Sequence, residues 1–309
     1  MSDPVIITCA ITGSIHTPSM SDALPWRPAD IAAQAIDAAQ AGAAILHLHA
    51  RNPDDGRPSA RAADFMGFLP QIRAGCDAVV NLSTGGSAVM TLDQRLEGPE
   101  AASPEMCSLN LGTMNFALYP MAARDGPWRF DWEKPFLENS DDLVFKNTPR
   151  DIAAVLDRMG SQRGARFEFE CYDSGHLTML RHLMDRGLVA APLFIQFVFG
   201  VLGGMAALPE NLTHMVRLAD RYFGDDYRFS VLAAGRHQIP MATMAAAMGG
   251  HVRVGLEDNL YAARGVLSRS NAEQVARIRE IVEGLGRPIA TPAEVRRMLG
   301  LKGAAHVGF

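Results

Sequence analysis

The chain has 309 residues, 48% hydrophobic and 20% charged, ordinary globular usage that excludes a disordered or low-complexity protein. A net charge of −5 with no Lys/Arg run leaves no electrostatic case for a nucleic-acid partner. Four cysteines (Cys9, Cys76, Cys107, Cys171) stand singly, and the opening MSDPVIITCAITG lacks a basic leader and a membrane-length apolar run, so we expect a soluble, cytoplasmic protein with reduced thiols.

Short apolar runs alternate with helical segments from one end to the other. VIITCA (5–10) is followed by a helix over 27–42, AAILHLHA (43–50) by one over 59–75, and DAVVNLS (77–83) by MCSLNL (106–111). RFEFECY (166–172), PLFIQFVFG (192–200), YRFSVLAAG (227–235) and GHVRVGLED (250–258) complete eight strands. Helices are expected between them over 148–160, 174–187, 208–224 and 239–250, with a last one over 270–286. Several open with Pro or Ser/Thr and close with Gly, as capped helices should. Strand–helix alternation implies parallel strands with helical crossovers, and eight of them favour a (β/α)₈ TIM barrel over residues 1–309 as a single domain. One crossover departs from the pattern. Residues 118–147 are aromatic, charged and weakly periodic, and read as a lid or interface loop after strand four.

In such barrels the active site gathers where strands end and the following loops begin. The polar residues of this chain gather at those ends and are sparse within the strands. In HLHARNP, His47 and His49 are spaced i, i+2, which puts both imidazoles on one strand face. A carboxylate from strand eight, best Glu257, would complete a two-His, one-carboxylate site of the kind Zn²⁺ accepts with a position left for substrate. The alternative is a hydrogen-bonded structural histidine pair. Arg253 shares parity with Glu257 if strand eight runs through, and a buried Arg must be paired. Asp258 is its natural partner and a candidate general base, or the two form a plain structural ion pair. NLSTGG and SLNLGTMN offer the hydroxyls of Ser83, Thr84, Ser108 and Thr113, the amide of Asn110 and the backbone N–H of Gly85, a nest suited to a carboxylate or phosphate. FGVLGG could bring backbone close to a long ligand, although neither a P-loop nor a dinucleotide spacing is present.

With these residues in hand, the chain resembles the β-keto acid cleavage enzyme family. CAITG, HLHARNPDDGRPS, NLSTGG, SLNLGTMNF, FEFECYDSGH, FGVLGGM, AAGRHQIP, GGHVRVGLEDN and SNAEQVARI fall in that family's order over nearly the whole length. The resemblance implies a homotetrameric (β/α)₈ barrel that uses zinc and acetyl-CoA to convert a β-keto acid into acetoacetate and a new acyl-CoA. It implies His47, His49 and Glu257 as zinc ligands, Ser83 and Ser108 as holders of the keto-acid end, and Arg253 with Asp258 as the catalytic pair. One position departs. Members that cleave amino-bearing keto acids carry Glu two residues after the Gly of ITG, where this chain has Ile15 followed by His16. Ile15 cannot neutralise an ammonium, so the pocket is expected to take an uncharged or anionic tail; His16 either points inward and donates a hydrogen bond to that tail or faces solvent. Segment 118–147 is also longer than in the shortest members.

Two rivals remain on the sequence. A metal-dependent hydrolase of the amidohydrolase type also carries H-x-H in a barrel, but on strand one, with further histidines ending strands five and six. Here those strands end in CYDSG and FGVLGG. A non-catalytic small-acid-binding barrel is the other.

Overall fold

The computed structural model describes residues 3–124 and 126–309. Eight parallel strands close into a barrel: β1 (Ile7–Ala10), β2 (Ile45–Leu48), β3 (Val79–Ser83), β4 (Met106–Asn110), β5 (Arg166–Cys171), β6 (Leu193–Phe199), β7 (Tyr227–Ala233) and β8 (His251–Val254). Each pairs with its chain neighbours and β8 closes on β1, with Thr8 opposite Arg253. Helices surround it: α1 (Pro28–Ala41), α2 (Ala62–Met66), α3 (Leu69–Gly75), α4 (Leu92–Ala102), α5 (Glu133–Glu138), α6 (Pro149–Val155), α7 (Ser174–Asp185), α8 (Pro209–Phe223), α9 (Gln238–Ala247), α10 (Asn271–Gly284) and α11 (Pro292–Leu299). The fold is a (β/α)₈ barrel. None of the described helices is long and apolar enough to cross a membrane.

The helix starts follow from capping. Pro28 and Pro209 occupy first-turn positions whose N–H would have no partner, while Thr148 and Ser270 accept from backbone N–H groups three residues on. Besides α5, two of the described helices were not expected. α4 opens with a Thr91–Gln94 capping box, but it carries Gly98 and Pro99 and buries Arg95, so no apolar period announces it. α11, with its Thr291–Glu294 box, lies beyond the eighth unit. The expected helix over 59–75 divides into α2 and α3 at Gly67–Phe68.

Segment 118–147 is not a plain loop. A two-residue antiparallel ladder, Met114–Asn115 with Val144–Phe145, clasps its ends, and between them lie 3₁₀ turns and α5. It is tied to the loops after β1 and β2. Glu133, fully buried, accepts from Ser19 N at 2.9 Å and Ser19 Oγ at 2.7 Å, and Trp132 Nε1 donates to Asp55 O at 3.1 Å.

Alternate strands of such a barrel fill its bore in layers of four. The lower end is apolar, with Ile6, Ile45, Val79, Met106 and Phe194 packed together; each large side chain so buried contributes about 1.5–3 kcal/mol. Above it the registers place Thr8, Asn81, Glu168 and Ser230 from the odd strands, then His47, Ser108, Gln196 and Arg253 from the even ones. All eight are buried. The expectation that polar residues are sparse within the strands is therefore wrong for this bore, where two successive layers are polar.

Candidate active site

Strand β2 ends at Leu48, one residue earlier than the shared-face argument assumed, yet His49 keeps the side it would have had in a longer strand. The Nε2 atoms of His47 and His49 each lie 3.5 Å from Glu257 Oε1, and the rings meet edge-on with centroids 5.2 Å apart.

Strand β8 likewise stops short, at Val254. Gly255 has φ +142°, and a Cβ there would sit 2.0 Å from the Ala10 carbonyl oxygen, so only glycine lets the chain turn so tightly against β1. That turn sends Glu257 back over the histidines, and the β1 loop lies directly upon it at Gly13 (φ +60°). Arg253 does lie beside Glu257, as parity suggested, but a turn rather than a continuous strand brings them together.

Arg253 is 2% exposed and faces four carboxylates. Its Nε and Nη2 bond Asp258 at 2.9 and 3.0 Å, and Nη2 also reaches Glu257 at 2.8 Å. Glu168 and Glu170 lie farther from Nη1, at 3.7 and 3.6 Å. Burial alone would lower the Arg253 pKa; Asp258 and Glu257 more than reverse it. Burial pushes the Asp258 carboxyl up to about 6, aided by Glu257 and opposed by Arg253, which leaves it a base near neutrality. Burial also pushes Glu257 up, but His47, His49 and Arg253 overturn that and hold it well below the usual carboxylate range. His47 is pushed down to about 4 by burial and by Arg253, hence neutral and able to offer a lone pair.

These residues fit a zinc ion. The three donor atoms lie within 4.8 Å of one another, and Glu257 Oε2 is buried without a hydrogen-bond partner. A tetrahedral site with bonds of about 2.1 Å has ligand–ligand edges of about 3.4 Å, close to the two 3.5 Å separations.

Above the triad opens a cavity of ≈ 520 Å³. Ile15, His16, Ser83, Gly85 and Asn110 line it, as do Leu118, Pro120, Met121, Phe136 and Leu143 of the segment after β4. Three expected substrate contacts are not on its wall. Thr84 is buried and its hydroxyl donates to the Ser108 carbonyl at 2.7 Å, Ser108 sits in the polar layer below, and Thr113 faces outward with its hydroxyl accepting from Asn147 N.

His16 corrects a chemical expectation. Its Nδ1 lies 2.9 Å from the Leu256 carbonyl oxygen and must therefore donate to it. Burial pushes the ring down to about 4, so it is neutral and Nε2 carries no proton. Toward the cavity His16 can accept a hydrogen bond but not give one.

Several contributors escaped the sequence reading. Arg51 of HLHAR is 1% exposed and bonds the oxygens of Thr12, His16 and Gly56, clamping the loop that carries Ile15 and His16. Glu170 and Tyr172 line the cavity and bond one another at 3.2 Å. An Arg two residues beyond H-x-H and just before the Gly-containing turn NPDDG was the available signal for the first; nothing marked the second pair.

A profile of the beta-keto acid cleavage enzymes matches residues 4–301. The chain is 57% identical over 305 residues to a Paraburkholderia graminis protein named 3,5-dioxohexanoate:acetyl-CoA acetone transferase, covering 99% of this chain and 98% of that one. It is 35% identical over 300 residues to the 3-keto-5-aminohexanoate cleavage enzyme of Acetoanaerobium sticklandii, covering 97% and 99%. Among solved structures, apo ObcA superposes with a TM-score of 0.68 at 23% identity, over 91% of this chain and 66% of that one, which supports the fold.

Proposed function

Because the chain belongs to the β-keto acid cleavage enzyme family, we propose that it is a zinc-dependent acyltransferase that condenses a β-keto acid with acetyl-CoA and cleaves the product to acetoacetate and a new acyl-CoA. The observation that carries the reading is the His47–His49–Glu257 triad joined through Arg253 to a second carboxylate, Asp258, at the floor of the cavity.

His47, His49 and Glu257 would hold the ion, whose Lewis acidity favours the substrate's enolate. Asp258 removes a proton from C2 of the keto acid, and Arg253 keeps that carboxylate aimed and ionisable. The C2 carbanion attacks the acetyl-CoA carbonyl and releases CoA thiolate. The thiolate adds to the original keto carbon, the bond from C2 to that carbon breaks, and acetoacetate leaves as a carbanion that recovers the proton from Asp258. Ser83 Oγ, the Gly85 N–H and the Asn110 amide stand at the cavity wall to hold the substrate's carboxylate end.

The tail is uncharged in this reading. The carboxylates on the wall are Glu170, Glu257 and Asp258, all engaged with Arg253, so none is left to neutralise an ammonium. His16 Nε2 accepts from a hydroxyl or enol on the tail, which suits a 3,5-dioxo acid, the substrate in the Paraburkholderia relative's name. The segment over 118–147 serves as a lid. Four free cysteines fit a reducing cytoplasm, and the exposed apolar hairpin with Tyr261, Val266 and Leu267 offers area for the tetramer that light scattering would detect.

The test is acetoacetate formation from a panel of β-keto acids with acetyl-CoA present or omitted. Turnover without acetyl-CoA would favour a hydrolase, and none with any acid would favour a binding protein. Ile15→Glu is expected to raise kcat/KM for 5-amino-3-oxo acids and lower it for anionic ones, because an unpaired buried charge costs several kcal/mol. A wild-type preference for the 5-amino acid over its neutral isostere would contradict this account of the loop.

A further inference from the structure

His47 has two strand neighbours in register, Ala10 on β1 and Asn81 on β3. Only Asn81 has a polar side chain, and both it and His47 are almost wholly buried, at 0 and 1% exposure. His47 Nε2 faces Glu257, while Nδ1 is buried without a hydrogen-bond partner. Asn81 Nδ2 donates to Glu168 Oε1 at 3.1 Å, and its Oδ1 is likewise buried without a partner. An imidazole that gives Nε2 to a metal carries its proton on Nδ1, so one orphan is a donor and the other an acceptor, on paired residues. Leaving both unmatched would carry the desolvation cost of a buried donor and a buried acceptor.

We propose that Asn81 is a positioning residue for the metal, its Oδ1 accepting the His47 Nδ1–H through one bridging water while its Nδ2 is anchored on Glu168. The relay runs Glu168–Asn81–His47 and fixes both the tautomer and the rotation of the ring. It rests on the zinc assignment made above. Such outer contacts to a ligating histidine change metal affinity by about 10–100-fold.

The experiment is a zinc titration against a chromogenic chelator, which reads affinity without turnover. Asn81→Leu, close in volume but without the amide, is expected to bind zinc about 10–100-fold more weakly than wild type. Gln196→Leu removes a polar group from the same bore that is not paired with His47, and is expected to leave zinc affinity unchanged. Wild-type affinity in a folded Asn81→Leu protein, or an equal loss in Gln196→Leu, would overturn the relay while leaving the zinc site intact. Absence of zinc binding by the wild type would overturn both. Should Asn81→Leu fail to fold, ¹⁵N-histidine spectra of the zinc-loaded wild type decide the matter: a proton on His47 Nδ1 that is protected from solvent exchange, and less protected in Gln196-intact Asn81→Ser, supports the relay, and a freely exchanging one refutes it.

Discussion

Replacing His47 and His49 together with alanine is expected to abolish both zinc binding and acetoacetate formation while the barrel stays folded. In the proposed site the two imidazoles supply two of the three donors, and Glu257 alone, already held at 2.8 Å by Arg253, would not retain the ion. The fold should survive because both rings lie at the upper end of the bore, bordering the cavity, while the apolar layer at the bottom is untouched. Metal content measured alongside far-UV circular dichroism checks this. Full zinc occupancy in the folded double variant would mean the ion sits elsewhere.

Asp258→Asn is expected to keep zinc and lower kcat by roughly 10²–10⁴, the range for removing a general base, or about 3–5 kcal/mol of barrier. Asparagine keeps the volume and one acceptor for Arg253, so the ion pair lost is that of Asp258 alone, and Glu257 remains bonded to Nη2. KM for acetyl-CoA should change little, since the removed interaction belongs to proton transfer. A rate near that of the wild type would shift the base to another group on the cavity floor.

The barrel was legible because each strand is a short run rich in apolar residues and bounded by turn residues, and parity put His47 and His49 on one side, whereas the turn at Gly255 that carries Glu257 over them was not legible. Helix α4 was not, because its buried face carries Arg95, Gly98 and Pro99 in place of an apolar stripe. Hydroxyl-bearing loops showed where a substrate could be held, but not which hydroxyls the backbone already engages. Thr84 and Thr113 are lost to the Ser108 carbonyl and the Asn147 N–H, contacts made across loops distant in the chain. The polarity of His16 was invisible for the same reason: the Leu256 carbonyl that fixes its proton is 240 residues away.

The two polar layers of the bore bear on how this protein could be made to withstand heat. Barrels of this kind usually fill those positions with Val, Ile or Leu. Exchanging buried hydrogen-bonded polar groups for apolar ones of the same shape can be neutral or stabilising, and for buried ion pairs the gain is often about 1–4 kcal/mol. Thr8, Asn81, Glu168 and Gln196, each with an unmatched buried atom, are the positions a stability screen would select first. Asn81 and Glu168 are also the supports proposed for a metal ligand, so on that proposal a thermostable variant chosen by melting temperature alone would drift toward an inert scaffold. Heat resistance without that cost has to come from the outer helices and loops, where substitutions leave the bore as it is.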